Sequence, residues 1–314
     1  MSAMRETMAG QPAALRALLA DAAPVEAAAS ALAGRPVWLV GTGTSWHAAH
    51  HGAWLLREAG VEAWPVEAAD CAAYGPAPAA GNGLLLLSHT GAKRHARTVL
   101  ERARAAGVTC VRIGARGTGA DLETVERERS SAYTASHLGA LLRLAQLARA
   151  LGAELGDLDA IPDAVASALD GPGPAVAPPA RLLELTGAGA NQWTAAEGAL
   201  KVREAARIAT EGLAVEQLLH GPAVALGADD ALVCLDGGGP LAGRVEEVAG
   251  LAEAGGVRVH RVAARDLSEP LSIFPLTVAV QRIALESAEA LGTDPDAFGY
   301  DVAGRKAAWE SVEL

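Results

Sequence analysis

Glu197, Lys201 and Glu204 stand at i, i+4 and i+7 in the run Glu197-Gly198-Ala199-Leu200-Lys201-Val202-Arg203-Glu204. On a helix that spacing places all three on one face. A carboxylate held beside a lysine there can move a proton between adjacent carbons of a bound substrate. Taken alone, the pattern also describes a salt-bridged stripe on a solvated surface. Downstream, Leu218-Leu219-His220-Gly221-Pro222 sets an imidazole just before a forced turn, where it is presented rather than packed.

Two other segments suit an anion. Gly41-Thr42-Gly43-Thr44-Ser45 and Ser88-His89-Thr90-Gly91-Ala92-Lys93 each follow an apolar run and open a helical pattern. Backbone N–H groups and the helix dipole favour negative charge at such a turn. Gly43, Thr44 and Ser45 in the first turn, and Ser88, His89, Thr90 and Lys93 in the second, are the candidate phosphate contacts. Neither segment is a Walker A loop, and Gly41-x-Gly43 lacks the third glycine of a dinucleotide fingerprint, which weakens an oxidoreductase reading. His47 and His51 lie one helical turn apart, a spacing that can hold a metal, but no acidic residue completes a zinc motif. No metal and no cofactor is assigned. Of the 26 Lys+Arg residues only Lys93, Lys201 and Lys306 are lysines, so each is a candidate functional group.

These residues must be positioned by alternating strands and helices. Two amino-terminal helical segments, with Pro12 and Pro24 in their first turns, precede an apolar strand at Val37 to Val40 and a helix from about Ser45 to Ala59. Strands follow around Val61 to Val66, Leu84 to Leu87 and Val108 to Ile113, with a helix from about Lys93 to Ala106 and further helices after Tyr133 and Leu158. Gly171 to Pro179, rich in glycine and proline, cannot continue a helix or central strand and reads as a linker. Beyond it the plan restarts, with a strand at Leu182 to Leu185, a glycine turn at Gly187 to Asn191 and a helix from Thr194 to about Ile208. Strands at Ala231 to Leu235 and Val257 to Val262 and helices near Leu241 to Ala254 and Pro275 to Leu291 complete it. The expectation is an α/β chain of two domains, 1–170 and 181–314 joined by 171–180, each with a parallel, doubly wound sheet.

At 314 residues the chain is long enough for two such cores. Charged residues make up 20% and mean hydropathy is +0.20, which excludes disorder. A net charge of −11 argues against a nucleic-acid surface. No uninterrupted apolar stretch reaches the roughly 18 residues of a membrane helix. Three widely spaced cysteines, Cys71, Cys110 and Cys234, and no apolar signal core predict a soluble protein of the reducing cytoplasm.

In this order the Gly41 to Ser45 turn with Trp46-His47-Ala48, the Ser88 to Gly91 loop, the Glu197 to Glu204 run and Leu219-His220-Gly221-Pro222 resemble the sugar isomerase (SIS) domain family. The pattern is similar to the double-SIS isomerase half of glutamine-fructose-6-phosphate aminotransferases. Gln11-Pro12-Ala13-Ala14-Leu15 and Gly292-Thr293-Asp294-Pro295-Asp296 extend the resemblance over nearly the whole chain. It implies two three-layer α/β/α domains, a homodimer with shared active sites, and a sugar phosphate, in particular an amino-sugar phosphate, as ligand. By position, Ser45, Ser88, His89 and Thr90 would contact phosphate, Glu204 would shuttle a proton between C1 and C2, and His220 would assist ring opening. Lys201 matches the lysine beside that carboxylate, and Glu197 opens the same motif.

The chain departs from the family at three places. No glutaminase domain is expected with it, so ammonia from glutamine would require a separate glutaminase subunit. His89 and Lys93 replace a glutamine and a threonine. The tail lysine that forms a Schiff base falls at Ala303, with Lys306 three residues further on as the candidate substitute. The implied activity is aldose-ketose isomerisation or deamination of a sugar phosphate. The alternatives are a noncatalytic sugar-phosphate-binding regulator and the isomerase subunit of a split aminotransferase.

Overall fold

Strand and helix alternate along the chain much as the apolar runs predict. The computed structural model describes residues 1–75, 77–297 and 304–312. The first half runs α1 (Ala3–Ala9), α2 (Gln11–Ala20), α3 (Ala23–Leu32), β1 (Val37–Gly41), α4 (Thr44–Glu58), β2 (Ala63–Glu67), α5 (Ala68–Ala73), β3 (Gly83–Leu87), α6 (Arg94–Ala105), β4 (Thr109–Gly114), β5 (Leu122–Glu123) and α7 (Ala135–Ala150). The second runs α8 (Ile161–Asp170), β6 (Leu183–Gly187), α9 (Asn191–Ala205), β7 (Thr210–Ala214), α10 (Val215–Leu219), β8 (Ala231–Asp236), α11 (Ala242–Ala254), β9 (Arg258–Ala263), α12 (Ile273–Leu291) and α13 (Arg305–Glu310).

Residues 13–128, 135–159 and 304–312 form one compact unit. Its five strands are all parallel in the order β2-β1-β3-β4-β5. Because side chains alternate across a strand, Val40, Leu84 and Leu86 pack on α5 and α6 through Cys71, Ala96 and Val99. Leu39 faces the opposite way, toward α4 and α7, where a Cβ at Gly52 would meet Leu39 and Leu144 within 2.7 Å. Buried Arg143 of α7 ties its own layer down through Asp21, the Leu18 and Asp21 carbonyls and the Glu123 carbonyl.

Residues 1–12, 129–134 and 160–297 form the other unit, with parallel strands in the order β7-β6-β8-β9. Leu183, Leu185, Val233 and Leu235 pack against α9 and α12, while Leu232 and Cys234 pack against α10 and α11. Both units are therefore three-layer α/β/α sandwiches around doubly wound parallel sheets. The stretch Glu269–Leu291 has the length and mean hydropathy, 1.2, of a bilayer span, but it is mostly buried as the packed helix of this unit. Its Gln281 accepts a hydrogen bond from Gln11 Nε2 and donates to the Thr134 carbonyl.

The boundary between the units does not fall at 171–180, although that segment has no regular structure. Helix α8, ahead of it, buries Ile161 and Val165, and Arg282 of α12 donates to the Ala168 and Gly171 carbonyls at its end. Helix α1 also joins the second sheet, because Asp296 accepts hydrogen bonds from the Ala3 and Met4 amides and Arg5 pairs with Glu289.

Candidate functional site

In an open parallel sheet, ligands bind outside the carboxyl ends of the strands, where the strand order reverses. In the first unit that point lies between β1 and β3, which pair in register from Val37 and Gly83. The two anion-binding candidates are the segments leaving these two strands. The Gly41–Ser45 turn is tight: a Cβ at Gly41 would overlap the Ser45 carbonyl, and Gly43 at φ 59° enters a region favouring glycine. Helix α4 then starts at Thr44, with no side-chain cap, placing Thr44 and Ser45 in its half-buried first turn. On the other side, Ser88, His89 and Thr90 are half-buried and Lys93 is exposed at the start of α6.

Two side chains that no local pattern connects shape these turns. Thr42 Oγ1 donates to Glu67 Oε1 at 2.6 Å, while Oε2 of Glu67 accepts from the Ala69 and Asp70 amides at the start of α5. Glu67 thus fastens the first turn to the next strand-helix junction; its signal was a carboxylate placed just before a helix. His89 is engaged structurally. Its Nε2 accepts from the Glu128 amide at 3.4 Å, its carbonyl accepts from Ala115 N–H, and burial holds its pKa below the ordinary value. The ring expected to contact phosphate thus also anchors the loop.

His47 and His51 serve packing. His51 Nδ1 donates to the His47 carbonyl at 3.0 Å, and its buried ring meets His137 edge-on. Burial, with His47 and Arg57 nearby, pushes His50 down to about 4. Among the described residues no group of three or more His, Cys, Asp or Glu side chains is arranged to hold a metal.

The second unit repeats the first turn with different chemistry. Gly189 takes φ 58°, a Cβ at Gly187 would approach the Asn191 carbonyl to 2.6 Å, and one at Gly198 would come within 2.8 Å of Leu185 and Val280, much as at Gly52. By strand register, Asp236 at the end of β8 corresponds to Ser88 after β3. A carboxylate there repels phosphate, and Asp236 is already paired with Arg265. Asn191 Nδ2 and Ser272 Oγ, bonded at 2.9 Å, fill the space beside Gly237. Among the described residues the repeat leaves the β1 unit's turns as the anion-binding candidate.

What the second unit carries is the ionic run on α9. Its three charges do not lie on an exposed stripe. Glu197 is 0% and Lys201 1% exposed, and only Glu204, at 18%, reaches solvent. Lys201 Nζ lies 3.5 Å from Glu197 Oε1 and closer still to Glu204 Oε2. Burying a charge is tolerated only with such compensation. Glu197, expected among the substrate contacts, instead holds Lys201, which in turn holds Glu204 at the accessible end. The ammonium holds the Glu204 carboxyl group in place at the end of the helix.

His220 caps α10 with its side chain 74% exposed. Nδ1 donates to the Glu216 carbonyl at 2.7 Å and lies 3.6 Å from the Glu216 carboxylate, which Arg244 grips at 2.6 Å. With Nδ1 as donor, neutral His220 presents Nε2 as the acceptor. Gly221, at φ 145°, provides the turn that follows. Lys306 falls on α13, but its side chain, like Ala303, lies outside the described residues.

No known protein-family profile matches this sequence, and no curated protein does. Solved structures match the fold. The C-terminal domain of glucosamine-fructose-6-phosphate aminotransferase from Francisella tularensis superposes with a TM-score of 0.82 at 18% identity, over 95% of this chain and 98% of that one. Tagatose-6-phosphate ketose/aldose isomerase from Escherichia coli gives 0.80 at 18% identity over 95% of each chain. Glucosamine-6-phosphate deaminase from Thermotoga maritima gives 0.78 at 17% identity, over 95% of this chain and 98% of that one. The chain shares the two-sheet α/β fold of these three structures, the fold that the sequence resemblance implies.

Proposed function

We propose that the protein interconverts the aldose and ketose forms of a sugar phosphate, or deaminates an amino-sugar phosphate, by proton transfer between C1 and C2. The observation that carries this reading is the buried chain Glu197–Lys201–Glu204, which ends in one partly accessible carboxylate. A carboxylate so fixed suits abstraction of a proton next to a carbonyl, and Lys201 offsets the charge that develops nearby. The anion cradle formed by Gly43, Thr44, Ser45, Ser88 and Thr90, with Lys93 at its rim, supplies a seat for the phosphate. His220 Nε2 takes the anomeric proton during ring opening, and Lys306 is the candidate for a Schiff base with the ketose. All three structural relatives named above carry a sugar phosphate in their names.

The reading includes a homodimer with shared active sites, because a catalytic imidazole as exposed as His220 needs a surrounding wall. It also includes a cytoplasmic setting, in keeping with free Cys71, Cys110 and Cys234. A separate glutaminase subunit would convert the same chemistry into amination.

The test is solvent exchange. With fructose 6-phosphate or glucosamine 6-phosphate in deuterated water, the wild type should place deuterium at C1 or C2, as seen by NMR. Glu204→Gln should abolish exchange while ligand-induced thermal stabilisation persists. A wild type that is stabilised by sugar phosphates yet exchanges none of a panel of them would be a sensor instead.

A further inference from the structure

The last carbonyls of a helix have no partner within it and must be satisfied from elsewhere. Helix α9 ends one residue after Glu204. There the Ala206 and Arg207 amides both donate to the Val202 carbonyl, with Arg207 in the left-handed region at φ 60°, where glycine is usual. The neighbouring Ala205 carbonyl is reached from far along the chain: Thr293 Oγ1 donates to it at 3.0 Å. Thr293 is aimed by the end of α12, where Gly292 takes φ 66° and the Thr293 amide closes on the Ala288 carbonyl at 2.9 Å. The same hydroxyl lies 3.3 Å from Ala288 O, so the shorter bond to α9 is the principal one.

Three residues later the segment is gripped again. Asp296 caps α1 through the Ala3 and Met4 amides at 2.6 and 2.8 Å, and its carbonyl accepts from the Ser131 amide at 3.2 Å. Residues 293–296 thus form a clasp between the carboxyl end of α9 and the amino end of α1, all within one unit. The clasp meets α9 at the residue next to the proposed base.

Resting on the reading of Glu204 as that base, we propose that Thr293 is a positioning residue for the Glu204 carboxylate. Without the hydroxyl, the last turn of α9 loses the bond that fixes Ala205, and Glu204 swings about Lys201 through a wider range. A displacement of about 1 Å at a reacting group costs on the order of 100-fold in rate. The substitution leaves the proposed phosphate contacts untouched, so substrate affinity is little changed. The effect therefore falls on kcat rather than KM.

The experiment compares wild type, Thr293→Val and Thr293→Ser in deuterated water with a sugar phosphate that the wild type exchanges. Thr293→Val, close to isosteric, should lower the exchange rate roughly 10- to 100-fold with KM within about threefold. Thr293→Ser, which keeps the hydroxyl, should return most of the rate. If Thr293→Val does not fold, Asp296→Asn opens the other end of the clasp and should lower kcat at constant KM. Equal rates in folded Thr293→Val and wild type, or a serine variant no better than valine, overturn the role of Thr293 alone. A wild type that exchanges no sugar phosphate overturns this proposal together with the function on which it rests.

Discussion

The Lys201 ammonium lies 3.5 Å from the Glu197 carboxylate one helical turn away, and both side chains are shielded from water. Glu204 closes on the same ammonium, so one buried cation serves two carboxylates. Removing it takes away the cation that the two carboxylates share in the β6 unit. Breaking a buried ion pair by deleting one partner costs about 3–5 kcal/mol. Lys201→Met should therefore destabilise by about that amount in urea unfolding, and Lys201→Met with Glu197→Gln should recover part of it. A loss below about 1 kcal/mol for the single variant would show that the charges are not buried together.

The paired glycine turns allow structure and ligand binding to be separated. A Cβ at Gly41 would overlap the Ser45 carbonyl, and one at Gly187 would stand 2.6 Å from the Asn191 carbonyl. Overpacking of this kind costs about 1–3 kcal/mol. Gly41→Ala and Gly187→Ala should accordingly lower the midpoint of thermal unfolding to a similar degree. Only Gly41→Ala should weaken sugar-phosphate binding, by tenfold or more, because the second turn is blocked by Asn191, Ser272 and Asp236. Thermal shift with and without ligand reads both effects; equal losses of affinity would place the anion elsewhere.

Much of this arrangement was legible from residue types because the glycine turns, the strand runs and the i, i+4, i+7 carboxylates are local patterns. The orientation of the α9 stripe was not. A Glu-Lys-Glu stripe has the same spacing on a wet face and a dry one, and only the packing of α9 against its sheet and α12 decides which. The ends of α9 also differ, 191–205 rather than 194–208, since Asn191 starts the helix directly after its turn and Arg207 stops it without glycine or proline. Strand β7 carries no such pattern. Its Thr-Glu-Gly-Leu-Ala has little strand propensity, and Gly212 belongs there because any side chain would collide with the backbone of Ala195. The Asp296 cap on α1 and the Thr293 bond to Ala205 join residues 293 and 88 positions apart, distances at which no sequence pattern signals contact.

His220 gives a prediction that separates ring opening from proton transfer. Its Nδ1 is committed to the Glu216 carbonyl, leaving Nε2 to accept the anomeric proton. His220→Asn should slow turnover of substrates that are mostly cyclic, by roughly 10²- to 10⁴-fold, the usual contribution of general acid–base catalysis. A substrate held predominantly in the open-chain form should lose far less. The comparison of kcat/KM for the two substrate types checks it, and equal losses would assign His220 a different task.

Glu184 supplies a pH dependence unrelated to catalysis. It sits on the central strand β6, 1% exposed, with Oε1 making no hydrogen bond and with Glu211 as its neighbour in register on β7. Burial, reinforced by Glu211 and only partly offset by Arg203, raises its pKa to about 8. The folded protein therefore keeps a proton on Glu184 over a range in which the unfolded chain, with a carboxyl near its ordinary value of 4.5, releases it. Between those limits the folded state binds the additional proton, so stability falls as pH rises from about 4.5 to about 8 and levels off beyond. The limiting slope is about 1.4 kcal/mol per pH unit. Glu184→Gln removes the titration while keeping the side chain's shape. Urea unfolding at pH 5, 6, 7 and 8 should show a shallower decline for the variant than for wild type. Any constant cost of burying the amide displaces the whole curve without changing its slope, and two parallel curves would mean that Glu184 titrates alike in both states.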